Sequence, residues 1–489
     1  MNVRDRYAPS PTGIPHVGNI RTALFNYLLA KRHGGSFMLR VEDTDRKRFD
    51  PNALDGIKES LRWLGLDWDE GPDVGGAYEP YFESERLDTY HEHARILIEK
   101  DAAYECFCSP QRLEQVRADQ QKRKEPPKYD RKCRDLSDAE RATERAAGIT
   151  PVVRFKMPLE GVTRANDFLR GEIEFDNATL DDFVLLKSDG FPTYQLAAMV
   201  DDHIMQITHV LRGDEWISSL PRNILTYQAF GWEPPVFVHL PVIVGPDKAK
   251  LSKRHGAQSA LEYREQGFLP EAMFNFLALL GWSLDDHSVV IPRDQFIENF
   301  ALERIGKNPA VFDIEKLRWM NGVYIREVVS EDRLVELLVE RLDHDLSPSA
   351  QRPVDAALVR KLLPLIRERM QTLAEAAPMV EGFFTDELHH SRDELLGKKF
   401  RDNASGARDA LSNAKDRLES LSPWDHATLE STLRALADEL AIKPGDLFML
   451  LRVAATGKPV SPPLFESMEV LGRDRCLSRL TQAIAVLSA

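Results

Sequence analysis

Apolar residues recur at helical spacing from Ile20 onward: Ile20, Ala23, Leu24, Tyr27 and Leu28 share one stripe. Gly34-Gly35 stops the pattern. Arg4 to Ala8 reads as a short strand before it and Phe37 to Val41 as another after it, with prolines and Gly13 punctuating the loop ahead of the helix. Residues 1 to about 88 keep this strand–helix alternation, as in a nucleotide-binding α/β sheet. Residues 106 to 190 break it, with charged helices at Gln111–Arg123 and Ser137–Ala147 and strands at Val152–Met157, Gly171–Phe175 and Phe183–Leu186. Residues 192 to 245 return to it, with apolar strands near Val210-Leu211 and Phe237-Val238. From Pro270 the pattern is almost wholly helical. Val359, Leu362, Leu363, Ile366, Met370 and Leu373 make one face, in which Pro364 predicts a kink or break. Leu429, Leu433, Leu436 and Leu440 make a second face, and Leu477, Leu480, Ile484 and Leu487 close the chain.

Two segments far apart carry candidate chemistry. Pro9-Ser10-Pro11-Thr12-Gly13-Ile14-Pro15-His16-Val17-Gly18-Asn19 runs into the first helix. Free N–H groups at a helix start and the helix dipole attract phosphate oxygens. His16 can donate to a phosphate, and Gly18 allows close backbone approach. Lys250-Leu251-Ser252-Lys253-Arg254 supplies the cations that phosphoryl or nucleotidyl transfer needs on its non-bridging oxygens and leaving group. Taken singly, the first segment is also a proline-shaped turn and the second a solvated basic loop.

The 489 residues are too many for one domain and suggest about three. No apolar run approaches the roughly 20 residues of a membrane span, and the charged N-terminus lacks a signal-peptide pattern. The expectation is a cytoplasmic protein with no membrane partner. A net charge of −14 excludes general nucleic-acid affinity, so an RNA partner would need local basic surface such as Arg46-Lys47-Arg48 or Arg360-Lys361 with Arg367 and Arg369.

His16-Val17-Gly18-Asn19 resembles the HIGH signature of class I aminoacyl-tRNA synthetases, and Lys250-Leu251-Ser252-Lys253-Arg254 resembles their KMSKS signature. Arg6–Gly13, Arg40–Asp45, Asp189–Tyr194, Val200–His203 and Leu317–Gly322 are similar to strings of bacterial glutamyl-tRNA synthetases and stand in that family's order. Asn19 departs from the second histidine often found there. The helical last third is similar to bacterial glutamyl enzymes rather than glutaminyl relatives, which carry β-barrels. A non-catalytic RNA-binding descendant and a small-molecule nucleotidyltransferase are the competing classes. Retained signatures weigh against the former, and the extra helical third against the latter.

The resemblance implies a Rossmann-like parallel-sheet catalytic domain over 1–88 plus 192–245, with an α+β acceptor-binding insertion over 89–191. It further implies a connecting domain over 246–325 and an all-α anticodon-binding region over 326–489, split near 390. It implies a monomer that uses ATP and Mg²⁺ to attach L-glutamate to tRNA(Glu) through glutamyl-adenylate. His16, Lys250 and Lys253 would be catalytic, and Pro9, Gly18, Asn19, Ser252 and Arg254 would join them around ATP. Glutamate would meet Arg6, Ser10, Glu42, Tyr194 and Arg212, and tRNA would meet Arg46, Trp319, Arg367 and Arg369.

Cys106, Cys108 and Cys133 are closely spaced, which suggests Zn²⁺ in a cytosolic protein, whereas Cys476 falls on the last helical pattern and reads as core. The family's zinc motif implies Asp135 as fourth ligand. The alternative is a degenerate site with reduced, unliganded thiols.

Overall fold

The strand Arg4–Tyr7 lies parallel to Ser36–Leu39, with Arg4 opposite Ser36 and Tyr7 opposite Leu39. Parallel neighbours require a crossover, and the helix Val17–Arg32 supplies it. The computed structural model describes residues 3–249, 251, 258–386 and 388–488. All five residues of the predicted stripe are buried, but so are Arg21, Phe25, Asn26, Leu29 and Ala30, so the helix is enclosed on nearly every side. It begins at Val17, three residues ahead of the stripe, because His16 caps it. Gly35 has a steric reason: a Cβ there would stand 1.9 Å from the Val3 carbonyl oxygen.

Thr208 ties this pair to a second one. Its N–H donates to the Arg4 carbonyl at 3.0 Å, and its Oγ1 accepts from the Arg4 N–H at 2.9 Å. The strand that follows, His209–Gly213, runs parallel to Val236–Leu240. The predicted strands near Val210 and Phe237 are thus present, side by side. Beyond Val236–Leu240 the sheet continues into Val162–Asp167, parallel where Asp167 faces Phe237, and into its antiparallel hairpin partner Gly171–Asp176. Val162–Asp167 has no apolar run. Its inward positions are Thr163, Ala165 and Asp167, alternating with exposed ones. Two strands of the segment 89–191 therefore extend the central sheet.

The rest of that segment forms its own antiparallel sheet, in which Val152–Phe155 lies between Ala103–Cys106 and Val184–Leu186. The charged helices are Pro110–Lys122 and Asp138–Ala146, capped by Ser109 and by a reciprocal Ser137–Glu140 pair.

The chain divides into two units, Met1–Glu262 with Met273–Ile314, and Tyr263–Ala272 with Glu315–Ala489. The second unit is helical among its described residues. Its helix Ala356–Ile366 contains Pro364 and ends two residues later, giving way to a tight turn at Arg367–Arg369. Pro364 has no N–H to donate to the Arg360 carbonyl and its ring crowds that turn; the predicted break is realised as a helix end shortly after it. Leu429, Leu433 and Leu436 are buried on His426–Glu439, and they pack with Leu411, Leu451 and Leu480 of neighbouring helices. Cys476 is fully buried in the same core. No helix among the described residues is long and apolar enough to cross a membrane.

Candidate active site

A cleft of about 1050 Å³ opens beside the helix N-terminus. His16 is the N-cap, and its Nδ1 accepts from the Gly18 N–H at 3.1 Å. A neutral imidazole with an accepting Nδ1 carries its proton on Nε2. Gly18 serves the histidine first, because a Cβ there would sit 2.8 Å from His16 Cε1. Pro9, Ser10, Gly18 and Asn19 line the cleft with His16. The structure brings these five predicted residues together.

The strand Arg4–Tyr7 delivers Arg6 to the cleft floor. There it is buried and forked onto Asp202, Nε to Oδ1 at 3.0 Å and Nη2 to Oδ2 at 3.3 Å. Arg40 Nη1 donates to the same Oδ1 at 2.7 Å, and Arg40 Nη2 lies 3.5 Å from Glu42 Oε1. Burial pushes the Glu42 carboxyl above its usual range, against the opposing pull of Arg40 and Arg6.

Arg212, on the strand His209–Gly213, faces the cleft and is 6% exposed. Its Nη1 donates to the Tyr194 hydroxyl at 2.7 Å, and its Nε donates to His239 Nε2 at 3.0 Å. With the Asn223 amide oxygen turned toward it, that oxygen accepts from Nη1 at 3.0 Å and from Nη2 at 3.1 Å. All three partners are neutral. Asp214, the acid nearest in sequence, pairs with Arg170 instead. Arg212 is therefore a buried cation with no carboxylate against it among the described residues, a situation that costs free energy until an anion arrives. Tyr194 is set at the start of the helix Tyr194–Ile204, and its ring packs on Trp216 with centroids 4.7 Å apart.

Lys250, Ser252, Lys253 and Arg254 lie outside the described residues. The residues that flank them reach the same end of the cleft. The Leu251 N–H donates to the Ile243 carbonyl at 3.1 Å, and the Gln258 carbonyl accepts from the Val17 N–H at 3.1 Å.

The three cysteines converge. Their sulfurs all lie within 4.8 Å of one another, with Cys108 Sγ 3.5 Å from Cys133 Sγ. A tetrahedral zinc at about 2.3 Å from each sulfur would hold them about 3.8 Å apart, so the donor set fits. The Tyr129 hydroxyl lies 3.3 Å from Cys106 Sγ and 3.5 Å from Cys108 Sγ. Asp135 is exposed and is not part of the group. It follows Arg134, whose guanidinium turns to Asp182 at 2.9 Å, and the chain leaves the cluster at that point.

Arg46 lines the cleft with its guanidinium over the Phe191 ring. Trp319 is 45% exposed in the second unit. Arg369 is exposed and donates to the Ser461 carbonyl at 2.9 Å. Arg367 braces backbone, donating to the carbonyls of Ile325 at 2.8 Å and Val329 at 3.2 Å. Sequence reasoning assigned no role to Asp202, Asn223, His239 or Tyr129. The available signals were the string Val200–His203, which contains Asp202, and His239, a polar residue inside the apolar run Val236–Leu240.

Residues 2–319 match the family model described as the catalytic domain of class I tRNA synthetases (E and Q), and residues 333–484 match an anticodon binding domain. A glutamate–tRNA ligase of Dehalococcoides mccartyi is 51% identical over 486 residues, covering 99% of this chain and 98% of the relative. One from Roseiflexus castenholzii is 47% identical over 494 residues, covering 100% and 97%. A crystal structure of a glutamate tRNA ligase from Elizabethkingia meningosepticum, in complex with its amino acid, superposes with a TM-score of 0.87 at 34% identity, covering 100% of both chains. With the α/β catalytic unit, the cleft and the helical last third all matched in one alignment, this chain belongs to the bacterial glutamate–tRNA ligases of the class I aminoacyl-tRNA synthetase family.

Proposed function

We propose that this chain attaches L-glutamate to tRNA(Glu) with ATP through a glutamyl-adenylate. The observation that carries the assignment of substrate is Arg212, buried at the cleft with only neutral partners and so poised for a carboxylate. In the first step a glutamate α-carboxylate oxygen attacks the α-phosphorus. The bond to the β-phosphate oxygen breaks, and pyrophosphate leaves with the electron pair. In the second, a terminal ribose hydroxyl of the tRNA attacks the acyl carbon, loses its proton and releases AMP. No covalent protein nucleophile is needed, so positioning and charge stabilisation dominate.

Arg212 and Arg6 hold the substrate carboxylates, Glu42 accepts from its ammonium, and the Tyr194 and Ser10 hydroxyls complete the pocket. His16, through its Nε2 proton, and the positive end of the dipole of the helix Val17–Arg32 receive the triphosphate, beside Pro9, Gly18 and Asn19. Lys253 and Lys250 neutralise charge on the transferring phosphates, with Ser252 and Arg254 alongside; the flanks Leu251 and Gln258 at the helix end support this. Mg²⁺ supplies further phosphate neutralisation when it binds with ATP.

The segment 89–191 receives the acceptor end, with Arg46 at the cleft mouth, and the helical region reads the anticodon through Arg369 and Trp319. Arg367 sets the neighbouring backbone. Zinc held by Cys106, Cys108 and Cys133, with the Tyr129 hydroxyl as fourth donor, would staple the insertion; it takes no part in either chemical step. The protein acts as a cytoplasmic monomer. The deciding experiment is charging of purified tRNA(Glu) and tRNA(Gln) with glutamate and with glutamine. Glutamate on tRNA(Glu), dependent on ATP, is the expected product, and its absence would overturn the reading.

A further inference from the structure

Behind Arg212, outside the cleft lining, stand His239, met above only as its hydrogen-bond acceptor, and Asp167. His239 Nδ1 is 2.8 Å from Asp167 Oδ2, and the His239 N–H donates to that same oxygen at 2.9 Å. Asp167 Oδ1 accepts from the N–H groups of Leu169 at 3.1 Å and Arg170 at 2.9 Å. Both side chains are fully buried. The far ring nitrogen, Nε2, accepts from Arg212 Nε.

The proton inventory is forced. A guanidinium nitrogen only donates, so His239 Nε2 must be bare. The single ring proton is then on Nδ1 and points at Asp167. An imidazolium would set two donors and two cations against each other. Burial, ahead of the pull of Asp167, keeps the His239 ring on the neutral side of its ordinary range.

Arg6 and Arg40 use a different device, a direct pair with Asp202. That contact orients both guanidiniums and cancels part of their shared charge. Interposing a neutral imidazole between Asp167 and Arg212 orients the guanidinium plane without neutralising it. The logic is that of a carboxylate holding an imidazole in one tautomer, with an arginine in place of a nucleophile.

We propose that Asp167 and His239 are positioning residues for glutamate selection, fixing the plane of Arg212 while leaving its charge for the substrate carboxylate. The proposal rests on the reading of Arg212 as a carboxylate receptor.

The test is steady-state aminoacylation of tRNA(Glu) by the full chain carrying His239→Phe, His239→Gln, Asp167→Asn or, as reference, Arg212→Ala. His239→Phe keeps the ring volume and removes the acceptor. It should raise KM for glutamate roughly 10- to 100-fold, with kcat and KM for ATP within about threefold. His239→Gln restores an oxygen near the Nε2 position and should recover most of that loss. Asp167→Asn should raise KM for glutamate about tenfold by freeing the tautomer.

If Arg212→Ala raises KM for glutamate and His239→Phe does not, the positioning role is overturned while the pocket stands. If neither raises it, the pocket reading itself has failed. A fall in kcat with KM unmoved would mark a merely structural histidine and also overturn the proposal. Should the variants not fold, nitrogen-15 chemical shifts of His239 in the unaltered protein decide. A protonated Nδ1 with bare Nε2 at neutral pH supports the proposal, and an Nε2–H tautomer or an imidazolium overturns it.

Discussion

Asp202 holds Arg6 through two parallel hydrogen bonds, Nε to Oδ1 at 3.0 Å and Nη2 to Oδ2 at 3.3 Å. Neither side chain reaches solvent to any extent. Because Arg40 shares Oδ1, removing the carboxylate strands the buried Arg6 guanidinium and leaves Arg40 with only Glu42.

Asp202→Asn should therefore destabilise the catalytic unit by about 3 kcal/mol at neutral pH. Hydrogen exchange in the strand Arg4–Tyr7 reports it locally, which matters in a chain of two units. Burial alone would raise the Asp202 carboxyl, but Arg6 and then Arg40 outweigh it and hold it below the ordinary aspartate range. A depressed folded-state value means the contribution is fully present above the unfolded value of about 3.9. It is lost as pH falls through the folded value, so the gap between parent and variant should persist from neutral pH to about 4 and close only below it. Equal exchange rates at pH 7 would exclude this role for Asp202.

Replacing Arg212 by alanine should cost glutamate far more than glutamine. A guanidinium facing a carboxylate gains a charge-assisted pair, while the same group facing an amide N–H meets a second donor. The kcat/KM ratio of the two amino acids should fall by at least about tenfold. An unchanged ratio removes Arg212 from the specificity pocket.

Lys253→Ala should slow adenylate formation by roughly 10²–10³ while leaving tRNA affinity near that of the parent. Its motive is the cationic signature segment, whose flanks Leu251 and Gln258 meet the cleft and the helix Val17–Arg32. Pre-steady-state activation within a few fold of the parent would dismiss the assigned role.

Protein purified without chelator should carry one zinc per chain. Cys133→Ser and Tyr129→Phe should lower that occupancy, and Asp135→Asn should not, since Asp135 stands apart from the sulfurs. Chelation should loosen the insertion and weaken acceptor-end binding, leaving ATP binding in place. Metal analysis giving well under one equivalent, or a full loss on Asp135→Asn, would defeat this arrangement.

The first helix was legible because its apolar stripe carries a clear period, the strands on either side of it from their place between turn signals, and the strands near Val210 and Phe237 because they are apolar. Val162–Asp167 was not, since its alternation is carried by Thr163 and Asp167 rather than by apolar residues. Of the residues at the cleft and the cysteine cluster, His16 could be picked from its motif and the three cysteines from their spacing, while Arg212 came only from the family resemblance. Asp135 stands apart from the sulfurs for a geometric reason. Ligand spacing along the chain says nothing of where the chain turns, and Tyr129, four residues before Cys133, reaches the sulfurs while Asp135 faces outward. Asn223 takes part through a contact between residues far apart in sequence, which no local pattern encodes, and the string Val200–His203 contains Asp202 without saying which arginines it meets.

The hairpin Val162–Asp176 belongs by sequence to the insertion and by hydrogen bonding to the central sheet. Modular exchange is the usual hope for such multi-part enzymes, in which one relative's insertion is grafted onto another's catalytic body. Here a graft cut at 89 and 191 would carry Asp167 away with it and leave His239 facing whatever the donor chain supplies. A chimera that respects the sheet must cut inside the insertion, on the far side of this hairpin, so that Val162–Asp176 stays with the body to which it is stitched.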